Sequence, residues 1–136
     1  KNGQKLVFKP CGSGAESSPL QQWDYDMITS GFTVSGTNEA RKSDGYHHDG
    51  MCMDIADGDC ETGKLQLWAC AHGWQQQWSL GQRPGGTSIY NIACDKCVTW
   101  KKVTGDWVGL DAGVHMQAPV LENCSDVKEQ VFRFGS

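Results

Sequence analysis

The 136 residues carry 12 Lys and Arg against 16 Asp and Glu, which gives a formal net charge of −4. This balance argues against a nucleic-acid partner, because proteins that bind the phosphate backbone concentrate Lys and Arg. No run of about twenty apolar residues is present, so no membrane span is predicted, and the length fits one domain with a modest core.

The cysteine content indicates the compartment. Seven cysteines in a chain of this length favour disulfide formation in an oxidising environment, so we expect a secreted or extracellular protein. Seventeen glycines and six tryptophans are typical of a loop-rich β protein with aromatic anchors.

Short β-type runs recur along the chain, each bounded by Gly, Asp, Asn or Pro clusters. No segment sustains a helical period over ten residues, so the predicted class is all-β. In chain order the predicted strands are Lys5–Phe8, Gln22–Tyr25, Gly31–Val34, Met51–Ile55, Lys64–Trp68, Gln76–Leu80, Thr87–Ile92, Cys97–Trp100, Pro119–Glu122 and Gln130–Phe134.

A cysteine followed by a Gln-x-aromatic triplet occurs three times. The copies are Cys11 with Gln21-Gln22-Trp23, Cys70 with Gln76-Gln77-Trp78, and Cys124 with Gln130-Val131-Phe132. The aromatic residues are 55 and 54 positions apart, which predicts three repeats, approximately 1–46, 47–93 and 94–136.

The opening of each repeat differs. The middle and last repeats open with a cysteine-containing strand, at Cys52 and Cys97, whereas the first repeat has no such strand. Either the strand was removed with a longer N-terminus, or another polypeptide supplies it.

Three segments of the middle repeat carry a family resemblance. Cys52-Met53-Asp54-Ile55, Leu65-Gln66-Leu67-Trp68-Ala69-Cys70 and Gln75-Gln76-Gln77-Trp78 resemble the repeat of ricin B-type lectins. The resemblance extends over nearly the whole chain. It implies a β-trefoil of three four-stranded units, the first lacking its opening strand, with the aromatics Trp23, Trp78 and Phe132 in the core. It also implies a non-catalytic module that binds glycans, with terminal galactose or N-acetylgalactosamine as the expected sugar.

A sugar site needs a carboxylate that accepts hydrogen bonds from hydroxyls, an aromatic face for the C–H patch, and amides. At the family's positions the middle repeat has all of these: Asp54, Gln66, Trp68, Gln75 and Gln76. Gln66 and Trp68 share strand parity, so both are expected on one sheet face. The alternative for Asp54 is a turn cap, and Gln76 is also expected to bond backbone and fix a turn.

The other two repeats lack this set. The equivalent residues are Thr99, Val120, Glu122 and Glu129 in the last repeat, and Val7, Lys9 and Leu20 in the first. Because Lys9 and Glu122 stand where the middle repeat has Trp68, that position is expected to face solvent. We therefore expect one working site.

The resemblance also implies two disulfides, Cys52 with Cys70 and Cys97 with Cys124. It leaves Cys11 free, bonded to a second polypeptide, or paired with Cys60 or Cys94. Each implied disulfide would close a loop and stabilise the fold by about 3 kcal/mol.

Metal, cofactor and catalytic roles find little support. Cys94-Asp95-Lys96-Cys97 has CxxC spacing without a second such pair, and His47-His48-Asp49 is typical of a solvated turn. No Gly-x-Ser-x-Gly motif or acid pair in a convincing context is present, so no enzyme is predicted. The alternative function is a protein-interaction scaffold, or a subunit of a larger enzyme or toxin, with a vestigial sugar site.

Overall fold

A computed structural model describes residues 2–8, 23–34 and 50–133. Several residues considered above lie outside these ranges: Lys9, Cys11, Leu20, Gln21, Gln22, His47, His48, Asp49 and Phe134. The described strands form two antiparallel sheets with short 3-10 turns between them, which confirms the all-β prediction.

The first sheet has five strands. Its spatial order is β1 (Gln4–Lys5), β5 (Leu65–Ala69), β4 (Met51–Ile55), β3 (Gly31–Val34) and β2 (Trp23–Asp26). The second sheet has four strands in sequence order: β6 (Ser79–Arg83), β7 (Gly86–Asn91), β8 (Lys96–Thr104) and β9 (His115–Glu122).

The predicted strands β3 and β4 have the expected bounds, but the Gln-x-aromatic segments differ from the prediction. Gln76 ends a 3-10 turn, Trp74–Gln76, and Gln130 ends another, Lys128–Gln130. The physical reason is that each glutamine side chain accepts hydrogen bonds from loop amides just before it, which closes a turn instead of extending a strand.

Trp78 lies at the centre of the core, as predicted. It is 1% exposed, packs with Ile55, Leu65 and Leu121, and donates its indole N–H to the Met53 carbonyl at 3.1 Å. Phe132 packs partly buried against the same cluster.

Trp23 departs from the prediction of a core aromatic. It is 37% exposed at the start of β2, which among the described strands pairs with β3 alone and lies at the edge of the first sheet. The core position was inferred from the repeat, but an edge strand leaves one side of the residue open to solvent.

The two sheets meet where the turn before β5 packs against β9. The Leu121 amide donates to the Gly63 carbonyl at 2.9 Å, and Lys64 forms a bridge with Val120. Gly63 has φ +69°, and a Cβ there would lie 2.6 Å from the Leu121 carbonyl oxygen. The close approach therefore requires glycine.

Three disulfides join the described residues. Cys52 bonds Cys70 and Cys97 bonds Cys124, the two pairs that the resemblance implied. The third joins Cys60 to Cys94. Since these two bond each other, neither is the partner of Cys11, which lies outside the described residues.

Candidate functional site

The site begins with two facing residues of the β4–β5 hairpin. Asp54 on β4 lies opposite Gln66 on β5, and antiparallel partners project their side chains to the same face. The Gln66 amide nitrogen donates to Asp54 Oδ1 at 3.0 Å, and both residues are buried, Asp54 with an exposure of only 1%.

The second carboxylate oxygen is held from the turn that follows β5. Gln76 donates its side-chain amide to Asp54 Oδ2 at 2.9 Å, and Gln75 donates to the same oxygen at 3.4 Å, a longer and weaker bond. An ionised carboxylate offers about four lone-pair directions, so these amides leave about one for a further donor. Asp54, Gln66, Gln75 and Gln76 are called the amide cluster below.

Gln76 also closes the loop after Cys70. Its side-chain oxygen Oε1 accepts hydrogen bonds from the backbone amides of Ala71 at 2.7 Å and His72 at 3.2 Å. Its side-chain nitrogen Nε2 donates to the Ala69 carbonyl at 3.1 Å. The expected backbone-bonding role is therefore present. The same side chain also orients the Asp54 carboxylate, so Gln76 acts in both the loop and the cluster.

Lys5 is a neighbour of the cluster that sequence reasoning missed. It lies opposite Gln66 in the β1–β5 pairing, and its ammonium donates to Gln66 Oε1 at 3.3 Å and to the Gly3 carbonyl at 2.9 Å. Since the Gln66 oxygen faces a cation, its nitrogen is left to face Asp54. Nothing local in the sequence reveals a contact between residues 61 positions apart.

An exposed indole lies beside the cluster on the same hairpin. Trp68 lies on β5, two residues beyond Gln66, and pairs with Cys52 of β4. Its side chain is 42% exposed, as the charged residues Lys9 and Glu122 at the corresponding sequence positions led us to expect. Of the five residues predicted for the site, four form the amide cluster and Trp68 follows on the face that parity assigns to it.

The structure also places a second tryptophan near the cluster. Trp74 begins the 3-10 turn that contains Gln75 and Gln76, and it is 44% exposed. The sequence signal was available, because Trp74 directly precedes the glutamine triplet, but no repeat equivalent pointed to it.

A family model of the ricin-type beta-trefoil lectin domain matches residues 1–116. The chain belongs to this family. The protein is therefore a carbohydrate-binding lectin domain, and the match covers the whole β4–β5 hairpin and the amide cluster. A search of curated proteins found no match to the chain.

Strands β8 and β9 of the lectin form a hairpin with the same register as β4 and β5 but with different side chains. Thr99 lies opposite Val120, as Asp54 lies opposite Gln66. Gln130 reproduces the loop-closing bonds of Gln76, accepting from Ser125 at 2.8 Å, yet its nitrogen donates to the Thr99 hydroxyl at 3.1 Å. The β8–β9 hairpin thus has the same register and the same loop-closing glutamine, but Thr99 stands where the β4–β5 hairpin has the Asp54 carboxylate.

The position that matches Trp68 in register is also changed in the β8–β9 hairpin, where Glu122 lies opposite Cys97. Glu122 accepts a hydrogen bond from Lys101 across the β8–β9 ladder. An ion pair thus lies where the β4–β5 hairpin presents an indole.

Among the described residues three side chains have shifted pKa values: Asp26 at the end of β2, Asp59 in the turn after β4, and Tyr90 on β7. The Ile28 backbone N–H lowers the pKa of Asp26, and the Thr62 hydroxyl lowers the pKa of Asp59, because both bonds favour the charged carboxylate. The hydrogen bond to Asp95 raises the pKa of Tyr90. These groups hold turns and lie outside the amide cluster.

Within the described ranges no three His, Cys, Asp or Glu side chains are grouped to hold a metal ion. The same part of the chain contains no helix of sufficient length and hydropathy to cross a membrane.

Proposed function

We propose that this lectin binds glycans through one site in the middle repeat, formed by Asp54, Gln66, Trp68, Gln75 and Gln76. The observation that carries the proposal is a buried carboxylate held by three glutamine amides beside an exposed indole. Among the described residues this combination occurs once. The proposal takes the chain as three repeats, approximately 1–46, 47–93 and 94–136, of which two are silent.

The chemistry assigns a role to each group. Asp54 accepts a hydrogen bond from a sugar hydroxyl along the direction that the amides leave open, and a charged acceptor makes this bond strong. Because Asp54 is almost fully covered, only the edge of a ring reaches it, while Gln75 and Trp68 supply the accessible surface. The Trp68 indole covers the apolar C–H patch of the sugar.

The proposed sugar is a terminal galactose or N-acetylgalactosamine, following the family resemblance. A single shallow site corresponds to a Kd of about a millimolar to tens of micromolar, or about 4 to 6 kcal/mol. Multivalent display or attachment to a larger protein would raise the avidity.

The proposed location is outside the cell. Three disulfides are favoured in an oxidising compartment, and they support a secreted protein. A second polypeptide that supplies the first strand or bonds Cys11 stays a prediction.

A glycan array with wild type, Asp54→Ala and Thr99→Ala tests the site. Wild type and Thr99→Ala are expected to bind terminal galactosides. The affinity of Asp54→Ala for the same glycans should fall at least about tenfold, which corresponds to 1.4 kcal/mol of binding free energy. Thr99 is the matched control, since it holds the same register position in the last repeat. Circular dichroism checks that each variant is folded.

A second pair of variants avoids the buried carboxylate. Trp68→Ala is expected to weaken binding, whereas Trp100→Ala, at a 50% exposed tryptophan of β8, leaves it unchanged. Retained binding by folded Asp54→Ala would contradict the proposed site. Absence of glycan binding by wild type would instead favour the protein-interaction scaffold.

A further inference from the structure

Trp74 has a backbone that is fixed without its indole. Its carbonyl accepts the Asn91 side-chain amide at 2.9 Å, and Asn91 is fully buried. The 3-10 turn adds a bond from the Gln77 amide to the same carbonyl at 3.3 Å. The 44% exposed indole is therefore not needed to hold the turn, and its position is set by rigid backbone.

The indole lies over a glycine at the edge of the amide cluster. A Cβ placed on Gly58 would lie 3.3 Å from Trp74 Cζ2 and 3.6 Å from Gln75 Oε1. The ring edge and the Gln75 amide thus border the same point, and that amide reaches Asp54 through its nitrogen. Gly58 has φ +61° after Asp57 at φ +57°, so a left-handed turn leaves this space open.

Trp68 and Trp74 adjoin the amide cluster through different neighbours. Along β4 the order is Cys52, which faces Trp68, then Asp54, which faces Gln66, and then the Gly58 turn beneath Trp74. One two-residue step separates the first two positions, about 7 Å at the usual strand rise. Two exposed indoles therefore lie near one polar centre, Trp68 on β5 and Trp74 on the 3-10 turn that carries Gln75.

A single sugar ring with its hydroxyls at Asp54 and its C–H face on Trp68 leaves the Trp74 face unused. We propose that Trp74 is a second subsite, which packs against the neighbouring residue of the glycan, so that the ligand is a disaccharide or longer chain. This inference rests on the proposed function at Asp54. If Trp74 only covered the Gly58 turn, the exposed part of its indole would add nothing to the stability of the fold.

Isothermal titration calorimetry with methyl β-galactoside and lactose tests the subsite. Wild type is expected to bind lactose about three- to tenfold more tightly than methyl β-galactoside. This factor is within the range found for contacts between aromatic side chains. Trp74→Ala should reduce that ratio to near one and leave the affinity for methyl β-galactoside unchanged. Trp74→Phe should retain most of the ratio, and Trp100→Ala should retain all of it.

Two results would overturn the subsite while leaving the parent site intact. The first is equal affinity of wild type for both sugars. The second is a Trp74→Ala variant that weakens both sugars by the same factor, which would place Trp74 in the Asp54 site itself. If wild type bound neither sugar, or if folded Asp54→Ala bound both normally, the proposed function and this inference would fall together.

Discussion

At the scale of single residues, the amide cluster solves the problem of burying a charge. An isolated buried carboxylate is strongly unfavourable, and hydrogen bonds to its charged form compensate. Gln66, Gln75 and Gln76 supply these bonds from two adjacent segments, and Lys5 fixes the orientation of Gln66. A carboxylate held this way keeps one geometry. The proposed sugar ligand would therefore not have to spend binding free energy on ordering it.

The paired glutamines Gln76 and Gln130 offer a matched test of this argument. Gln76→Ala should lower the free energy of unfolding by about 2–3 kcal/mol, because it removes one charge-assisted bond and three bonds to loop backbone. Gln130→Ala should cost about 1–2 kcal/mol, since its partner is the neutral Thr99 hydroxyl. Urea denaturation measures both values.

Glycan titration of the same two variants separates stability from binding. Binding should weaken in Gln76→Ala and stay unchanged in Gln130→Ala. Equal stability losses together with unchanged binding in both variants would show that Gln76 closes its loop without orienting Asp54.

Sequence reasoning found the residues of the cluster and the backbone bonds of Gln76, but not the amide bonds to Asp54. Asp54, Gln66 and Gln76 lie close together in the chain and match the family's pattern, so the sequence alone could identify them. Lys5 and Trp74 were missed because one depends on strand pairing across the chain and the other on a glycine turn. Burial of Asp54 also depends on packing that no spacing reveals.

At the scale of elements, the two cysteine-bridged hairpins share a register but differ at their turns. The β4–β5 turn packs against β9 through Gly63, whereas β8 and β9 extend to Thr104 and His115. The β-type runs predicted the four strands of these hairpins, although β8 and β9 extend beyond the predicted Cys97–Trp100 and Pro119–Glu122. These runs could not predict the 3-10 turns, because side-chain bonds from Gln76 and Gln130 decide them.

Gly63→Ala should destabilise the protein by about 3 kcal/mol, combining left-handed backbone strain with overpacking. Its Cβ would lie 2.6 Å from the Leu121 carbonyl oxygen, which is backbone and cannot swing away. Gly85→Ala is the control, since Gly85 has φ +88° with nothing within 4 Å, and strain alone should cost about 1–2 kcal/mol. Thermal unfolding compares the two, and equal losses would contradict a tight contact between the sheets at Gly63.

At the scale of the whole molecule, the described disulfides are of two kinds, those that close one hairpin and one that joins separate parts of the chain. Cys52–Cys70 and Cys97–Cys124 each bind the ends of one hairpin, whereas Cys60–Cys94 ties the β4–β5 turn to the loop before β8. The repeat predicted the first two through the resemblance. The resemblance implied no partner for Cys60 or Cys94, so the third disulfide was not predicted.

Removing this third disulfide tests its role in connecting the sheets. Its cysteines are 34 positions apart, and the chain-entropy model gives a loss of about 4 kcal/mol for a loop of that size. Cys60→Ser with Cys94→Ser should therefore lower the guanidinium midpoint clearly. Glycan binding by the folded fraction should persist, because the amide cluster depends on the hairpin that Cys52–Cys70 closes.

The matched variant removes that hairpin bond instead. Cys52→Ser with Cys70→Ser should reduce stability through a loop of 18 positions, for which the same model gives about 3 kcal/mol, and should also weaken glycan binding. The carboxylate and the Gln76 loop lie on either side of this bond, so its loss frees one from the other. Equal binding losses in the two double variants would mean that the site depends on global stability, and would argue against a hairpin that holds its own site.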